Sequence, residues 1–356
     1  MANLNASIPP VHGGLHHNEL SEFCLDPKRI LDFSVNINPY GPAPAVLRAA
    51  RAANLRHYCD PTAADTRDAL GTHLEIQANE IALGNGAAEL MWSLARLLAD
   101  PTRPATIVGP TFSEYTSAIR SYGGAVTLHQ TTSDTGFAVD PQRLIADIER
   151  EASASVYLCT PNNPTGTALP MASICELAML FPKTTFVVDQ AFLSLSPQHR
   201  DLGVHPTPNM VLLRSLTKDH SIPGLRVAYL IAEAKLTAAL ERGRPPWTVS
   251  APAQAALLAS LVESDFVENC RLRMESDRNY LAQGLRTLGL APLPSNAPYL
   301  VAKVGNATKL RERLLREHQI LIRDCTSFAM PEYIRLASRP TYDIDRLLAA
   351  LGEALP

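Results

Sequence analysis

The sequence predicts an α/β protein of two units, a large one with a mainly parallel sheet between layers of helix and a smaller α+β one. Short apolar runs recur at 105–108, 155–159, 185–188, 210–213 and 227–231. Runs this short and this apolar read as strands buried on both faces. Helical patterns lie between them, as at 87–99, where Leu90, Met91, Leu94, Leu97 and Leu98 share one broad face. Strands alternating with helices imply a parallel sheet covered on both sides. Pro245-Pro246-Trp247 then marks a break. Beyond it a long helical stretch is expected through about residue 288, then strands at 299–303, 320–323 and 333–337 and helices at 309–316 and 344–355. The expected division is an N-terminal arm over 1–45, a large unit over 46–240 and a small unit over 241–356. The arm is turn-rich, with His12-Gly13-Gly14 and Asn38-Pro39-Tyr40-Gly41-Pro42.

Composition narrows the function classes. Of the 356 residues 46% are hydrophobic and 19% charged, which fits a folded soluble protein. Lysines and arginines number 32 against 35 acidic residues, a net charge of −3, so nothing electrostatic points to nucleic acid or an anionic membrane. No basic helix-turn-helix pattern precedes residue 45. Cys24, Cys59, Cys159, Cys175, Cys270 and Cys325 are scattered, without metal-ligand spacing, and read as reduced thiols of a cytoplasmic protein that holds no metal. Residues 1–10 show no secretory pattern, and no apolar run approaches the roughly 20 residues of a membrane span.

Four motifs stand at expected strand ends, the edge where open α/β sheets bind ligands. Lys218 follows the run 210–213 within Ser215-Leu216-Thr217-Lys218. A lysine desolvated there loses its proton readily and can form an imine. Ser215, Thr217 and Arg226 could hold a phosphate, the guanidinium bidentately. Asp189 ends the run 185–188; opposite a pyridine nitrogen it would keep that nitrogen protonated and make the ring an electron sink. Cys159-Thr160-Pro161-Asn162-Asn163-Pro164-Thr165-Gly166 would hold an asparagine amide rigidly in a site. Gly84-Asn85-Gly86-Ala87-Ala88 turns into a helix whose first N–H groups can face a phosphate. Taken singly, Lys218, Asp189 and the glycine turn read more readily as a surface lysine, a helix cap and an ordinary turn, and the asparagine loop is the more specific signal. Their order along one sheet edge favours a single site.

In that order GNGAAE (84–89), PTFSEY (110–115), CTPNNPTG (159–166), VVDQAF (187–192) and SLTKDHSIPGLR (215–226) resemble the histidinol-phosphate aminotransferase-like branch of the fold type I enzymes that use pyridoxal 5′-phosphate. Within that branch the chain is most similar to the threonine-phosphate decarboxylases of cobalamin biosynthesis. That narrower likeness rests on VHGG (11–14), LDFSVNINPYGP (31–42), HYCDP (57–61), PPWTVSAPAQAAL (245–257), ILIRDC (320–325) and YIRLASR (333–339). The resemblance implies a seven-stranded sheet and a set of roles. Lys218 carries the cofactor as a Schiff base, Asp189 pairs with the ring nitrogen, Asn163 meets the ring hydroxyl and the substrate, and Phe112 stacks on the ring. The amides of Ala87 and Ala88, with Ser215, Thr217 and Arg226, bind the cofactor phosphate. Tyr58 reaches that phosphate from a neighbouring subunit, which implies a homodimer. Arg335 holds the substrate carboxylate, and His12, Gly13, Asn36 and Arg323 surround the substrate phosphate.

The implied reaction is decarboxylation of L-threonine O-3-phosphate to (R)-1-aminopropan-2-ol O-phosphate; the alternative is a histidinol-phosphate aminotransferase. Three departures from the family pattern stand out. Gln190 replaces the usual glutamate after the aspartate, Cys59 replaces a proline after the tyrosine, and the spacing from Arg323 to Arg335 is slightly short.

Overall fold

The computed structural model describes residues 12–203 and 206–355. Its strands, in chain order, are β1 (Leu31–Asp32), β2 (Ile81–Gly84), β3 (Ala105–Gly109), β4 (Val126–Gln130), β5 (Ser155–Cys159), β6 (Thr185–Asp189), β7 (Met210–Ser215), β8 (Ala228–Ile231), β9 (Tyr299–Lys303), β10 (Ile320–Leu321), β11 (Arg323–Asp324) and β12 (Tyr333–Ala337). β2 to β8 form one seven-stranded sheet in the order β2-β8-β7-β6-β5-β3-β4. β4, β3, β5, β6 and β7 pair in parallel, while β8 is antiparallel to both β2 and β7. Every strand of the sheet except β8 therefore points one way. Their C-terminal ends share an edge, and β8 starts from it.

Alternation along the central strands explains the two covering layers. Val156, Leu158, Phe186, Val188, Met210 and Leu212 pack into one core with Leu144, Ile148, Ile174 and Leu177 of the helices Pro141–Glu151 and Met171–Leu180. Tyr157, Val187, Val211 and Leu213 face the opposite core, with Leu90, Leu94 and Ile119 of the helices Ala87–Leu98 and Glu114–Ser121. Burying each such side chain contributes about 1.5–3 kcal/mol, and a strand buried on both faces collects it at every position. β4 lacks the apolar run that marks the others. It is an edge strand whose Leu128 is 59% exposed, so its sequence Val-Thr-Leu-His-Gln stays mixed.

The second unit packs β11-β12-β9 as an antiparallel sheet around Leu300, Ile334 and Leu336. The arm is stitched into it, because β1 pairs in parallel with β10 through Leu31↔Ile320 and Asp32↔Leu321. The first eleven residues of the expected arm, Val11 included, lie outside the described residues.

Two expectations are corrected here. The long helical stretch before residue 288 is two helices, Ala251–Ser260 and Ser264–Thr287. The Ser260 hydroxyl folds back onto the Leu257 carbonyl, and Ser264-Asp265 favours a new N-terminus. The run 320–323 is not one strand either: the chain leaves the β1 pair after Leu321 and joins the antiparallel sheet at Arg323. Among the described residues no helix is long and apolar enough to cross a membrane.

Candidate active site

The shared strand edge opens into a cleft of about 450 Å3. Lys218, Asp189, Asn163, Phe112, Ala87, Ala88, Ser215, Thr217, Arg226, His12, Gly13, Asn36, Arg323 and Arg335 all line it. Of the residues given a site role from the sequence, Tyr58 does not. Its ring is 84% exposed and lies 4.8 Å from that of Trp247, outside the chain's own cleft.

One end of the cleft is built for a phosphate. Gly86, at φ +80°, turns the chain from β2 into the helix Ala87–Leu98, so the first N–H groups of that helix face the cleft. A side chain at Gly86 would put its Cβ 2.2 Å from the Arg226 guanidinium, so the arginine lies in space that only glycine leaves. Arg226 stands two residues before β8, which starts beside the end of β7 at Ser215↔Ala228. The Ser215 and Thr217 hydroxyls stand 2.7 Å apart at the same place. A cation, two hydroxyls and a helix N-terminus around a gap that a Cβ would fill make a fitting donor set for a phosphate monoester.

Deeper in, Asp189 is 5% exposed with both oxygens engaged. The Ala191 N–H donates to Oδ1 at 2.9 Å and the Tyr115 hydroxyl to Oδ2 at 2.7 Å. Burial raises the Asp189 pKa, and the two hydrogen bonds and Lys218 oppose the shift. Burial and the nearby carboxylate push Tyr115 well above its ordinary value, so it stays a neutral donor. Lys218 is half-buried, and burial, with Arg226 and Arg335 adding to it, lowers its pKa to about 8. It is thus far easier to deprotonate than a surface lysine. The carbonyl of Lys218 accepts from the Asn38 N–H at 2.9 Å, and the Asn38 amide donates to the Asp219 carbonyl at 2.8 Å, so the arm holds the lysine's main chain.

The loop after β5 is fixed by Asn162 rather than Asn163. Asn162 accepts from Thr111, donates to the Pro110 carbonyl and to Thr165, and its carbonyl accepts from Tyr299. The Asn163 amide is left facing the cleft, where its oxygen accepts from Arg335. The ring of Phe112 stands edge-on to Tyr115, with centroids 5.9 Å apart.

The facing wall holds the two arginines. Arg323 and Arg335 are register partners on β11 and β12, which sets them opposite each other. Both are buried, at 7% and 5% exposure. Arg335 donates to the Ser34 carbonyl at 2.6 Å and to Asn163, both neutral acceptors, and its Nε has no partner among the described residues. Arg323 donates to the Ser327 hydroxyl at 2.6 Å. Burial lowers both pKa values, that of Arg335 to about 10, which leaves it a cation at neutral pH. Like charges directly opposite across a ladder repel. Such a wall is suited to an anionic ligand. The Asn36 side chain, 5% exposed with its oxygen unpartnered among the described residues, faces the same space.

The departures have local explanations. Gln190 lies outside the cleft lining and accepts from Arg214 Nε at 2.9 Å. The Cys59 thiol donates to the Val249 carbonyl at 3.4 Å, tying the Tyr58 loop to the segment before Ala251–Ser260. Sequence reasoning missed Ser34, Tyr115 and Glu114. Tyr115 follows Phe112 by three residues and lies in the first turn of the helix Glu114–Ser121. No group of acidic, histidine and cysteine side chains among the described residues is arranged to hold a metal ion.

Residues 28–351 match the family described as aminotransferase class I and II. A histidinol-phosphate aminotransferase from Methanopyrus kandleri is 32% identical over 96% of this chain and 92% of its own length. The histidinol-phosphate aminotransferase from Sinorhizobium meliloti, solved in complex with pyridoxal-5′-phosphate, superposes with a TM-score of 0.86 at 25% identity, over 99% of this chain and 98% of that one. The L-threonine-O-3-phosphate decarboxylase from Porphyromonas gingivalis does so with a TM-score of 0.79 at 25% identity, over 91% of this chain and 99% of that one. The sheet, the donor set and these likenesses agree: the chain is a fold type I protein of the aminotransferase class I and II family, and its cofactor is pyridoxal 5′-phosphate.

Proposed function

We propose that this chain decarboxylates L-threonine O-3-phosphate to (R)-1-aminopropan-2-ol O-phosphate and CO2, the reaction that supplies the linker of the cobalamin nucleotide loop. The observation that carries the proposal is the pair of buried arginines in register, Arg323 and Arg335, facing the arm residues His12, Gly13 and Asn36. A substrate with a carboxylate and a phosphate needs two separate cationic contacts. Arg335, beside Asn163, takes the carboxylate, and Arg323 with the arm takes the phosphate.

Bound pyridoxal phosphate supplies an electron sink for the bond that breaks at the substrate's α-carbon. Lys218 carries the cofactor, and Asp189, fixed by Tyr115 and Ala191, keeps the ring nitrogen protonated. The protein chooses which bond breaks by orientation: Arg335 and Arg323, gripping two separate anionic groups, would fix how the substrate's α-carbon lies in the cleft. Lys218, with its pKa near 8, then delivers a proton to the α-carbon. Tyr58, exposed and outside its own cleft, is assigned to the cofactor phosphate of a second copy, so the working form is a homodimer.

A second reading, histidinol-phosphate amino transfer, is favoured by the Methanopyrus kandleri and Sinorhizobium meliloti likenesses. It uses the same cofactor side, with Lys218 removing the α-proton instead. Trapping CO2 from O-phospho-L-threonine with the purified cofactor-loaded protein separates the two. The decarboxylase releases it without a keto acid; efficient glutamate formation from 2-oxoglutarate without CO2 overturns the proposal.

A further inference from the structure

A cleft suited to two anionic groups has one carboxylate more than its chemistry uses. Asp189 and Glu114 are the acidic residues lining it among the described residues. Asp189 has its place opposite the ring nitrogen. Glu114 has none in the reaction above, yet it is only 8% exposed. Left idle, it would weaken the field of Lys218, Arg226, Arg323 and Arg335 that draws in a phosphorylated substrate.

Its contacts give it a use. Glu114 Oε2 accepts from the Trp92 indole N–H at 2.7 Å, and Oε1 stands 3.0 Å from His12 Nε2. Trp92 belongs to the helix Ala87–Leu98, so the large unit anchors the carboxylate. His12 belongs to the arm; its side chain is 48% exposed, and its ring lies 5.6 Å from that of Phe112. The next residue, Gly13, approaches the Ser34 carbonyl so closely that a Cβ would lie 2.4 Å from the oxygen. That carbonyl is also the acceptor for Arg335. Glu114, His12, Gly13, Ser34 and Arg335 thus form a continuous path across the cleft from the large unit to the small one. With Nε2–H given to the carboxylate, Nδ1 is the other imidazole nitrogen, and it can donate to an anion when the ring carries both protons.

We propose that Glu114 is a positioning residue: it seats His12 of the arm over the cleft and thereby sets the selectivity for phosphate-bearing substrates. The inference rests on the reading of the site as one for a phosphorylated amine. Glutamine in its place keeps an oxygen for Trp92 and offers His12 a weaker, uncharged partner; alanine offers none.

The test uses cofactor-loaded protein and the change in the cofactor's visible absorption on titration with O-phospho-L-threonine, histidinol phosphate and their unphosphorylated counterparts. Wild type is compared with Glu114→Gln, Glu114→Ala, His12→Ala and the Glu114→Ala/His12→Ala pair. Wild type is expected to prefer the phosphorylated ligands. Glu114→Ala is expected to lower that preference by about 10- to 100-fold, the range for a hydrogen bond to a charged group. Glu114→Gln falls between the two, and Glu114→Ala adds little once His12 is gone. A preference kept in Glu114→Ala, or equal weakening of phosphorylated and unphosphorylated ligands, overturns the role of Glu114 and leaves the functional reading intact. No preference in wild type overturns both.

Discussion

The wall of the cleft that takes the cofactor comes from strand ends of a single sheet, whereas the wall facing the substrate joins residues as far apart as Ser34 and Arg335, separated by 301 positions. The first is fixed by geometry common to the family: β2, β5, β6 and β7 end along one edge and β8 begins there. The second depends on the arm, held by the two-residue pair β1–β10, and on the β11–β12 register. Under the proposed function, the difference puts cofactor chemistry and reaction choice on separate parts of the chain, where substitutions can address them separately.

The largest effect is expected from Lys218→Ala. Loss of the proton-transfer group alone lowers turnover by about 10^2- to 10^4-fold, and the cofactor's visible band shifts because the lysine link is gone. Ligand binding by the arginine wall persists, measured as phosphothreonine affinity by calorimetry. Arg335→Lys attacks the other wall. It keeps a charge but cannot reach Asn163 and the Ser34 carbonyl as a fork, so kcat/KM falls by about 10- to 100-fold with cofactor affinity unchanged. Loss of cofactor from this variant breaks the separation. Gly86→Ala is a smaller change on the cofactor side. It forces a side chain at φ +80° into the Arg226 guanidinium and weakens cofactor affinity by roughly tenfold, with the substrate KM unchanged at saturating cofactor.

The pH dependence sharpens the comparison without a substitution. In the proposed role only the neutral Lys218 amine captures the cofactor, and its pKa is lowered to about 8. Below that pH the amine is protonated and capture slows; above it the rate levels off. Absorbance-monitored reconstitution of cofactor-free protein from pH 6 to 10 reads this directly. A rate still climbing near pH 10, the range of an ordinary lysine, contradicts the desolvated site.

The same contrast explains what the sequence made legible. A strand buried on both faces leaves a continuous apolar run, so the residue just past it, Asp189 or Lys218, can be placed on the sheet edge. β4 escaped because one edge of it meets solvent and the run is broken by Thr127 and His129. β1, β10 and β11 have two residues each, too few for any period to show. Periodicity places Arg323 and Arg335 on expected strands but gives them no role, so these two, like His12 and Asn36, take their roles from family resemblance. Glu114 and Tyr115 went unread because a glutamate and a tyrosine opening a helix suit an ordinary helix start. Their partners, Trp92, His12 and Asp189, are brought to them only by the tertiary fold.

The claim that the arginine wall selects the reaction is tested most directly by the fate of O-phospho-L-threonine when wild type and Arg323→Gln are each loaded with cofactor and supplied with 2-oxoglutarate. The measurement is CO2 released against glutamate formed per substrate consumed. The account predicts nearly all turnovers ending in CO2 for wild type, and a fall in that fraction for Arg323→Gln with the cofactor's absorption unchanged. An unchanged fraction in the variant, or glutamate as the main wild-type product, contradicts it.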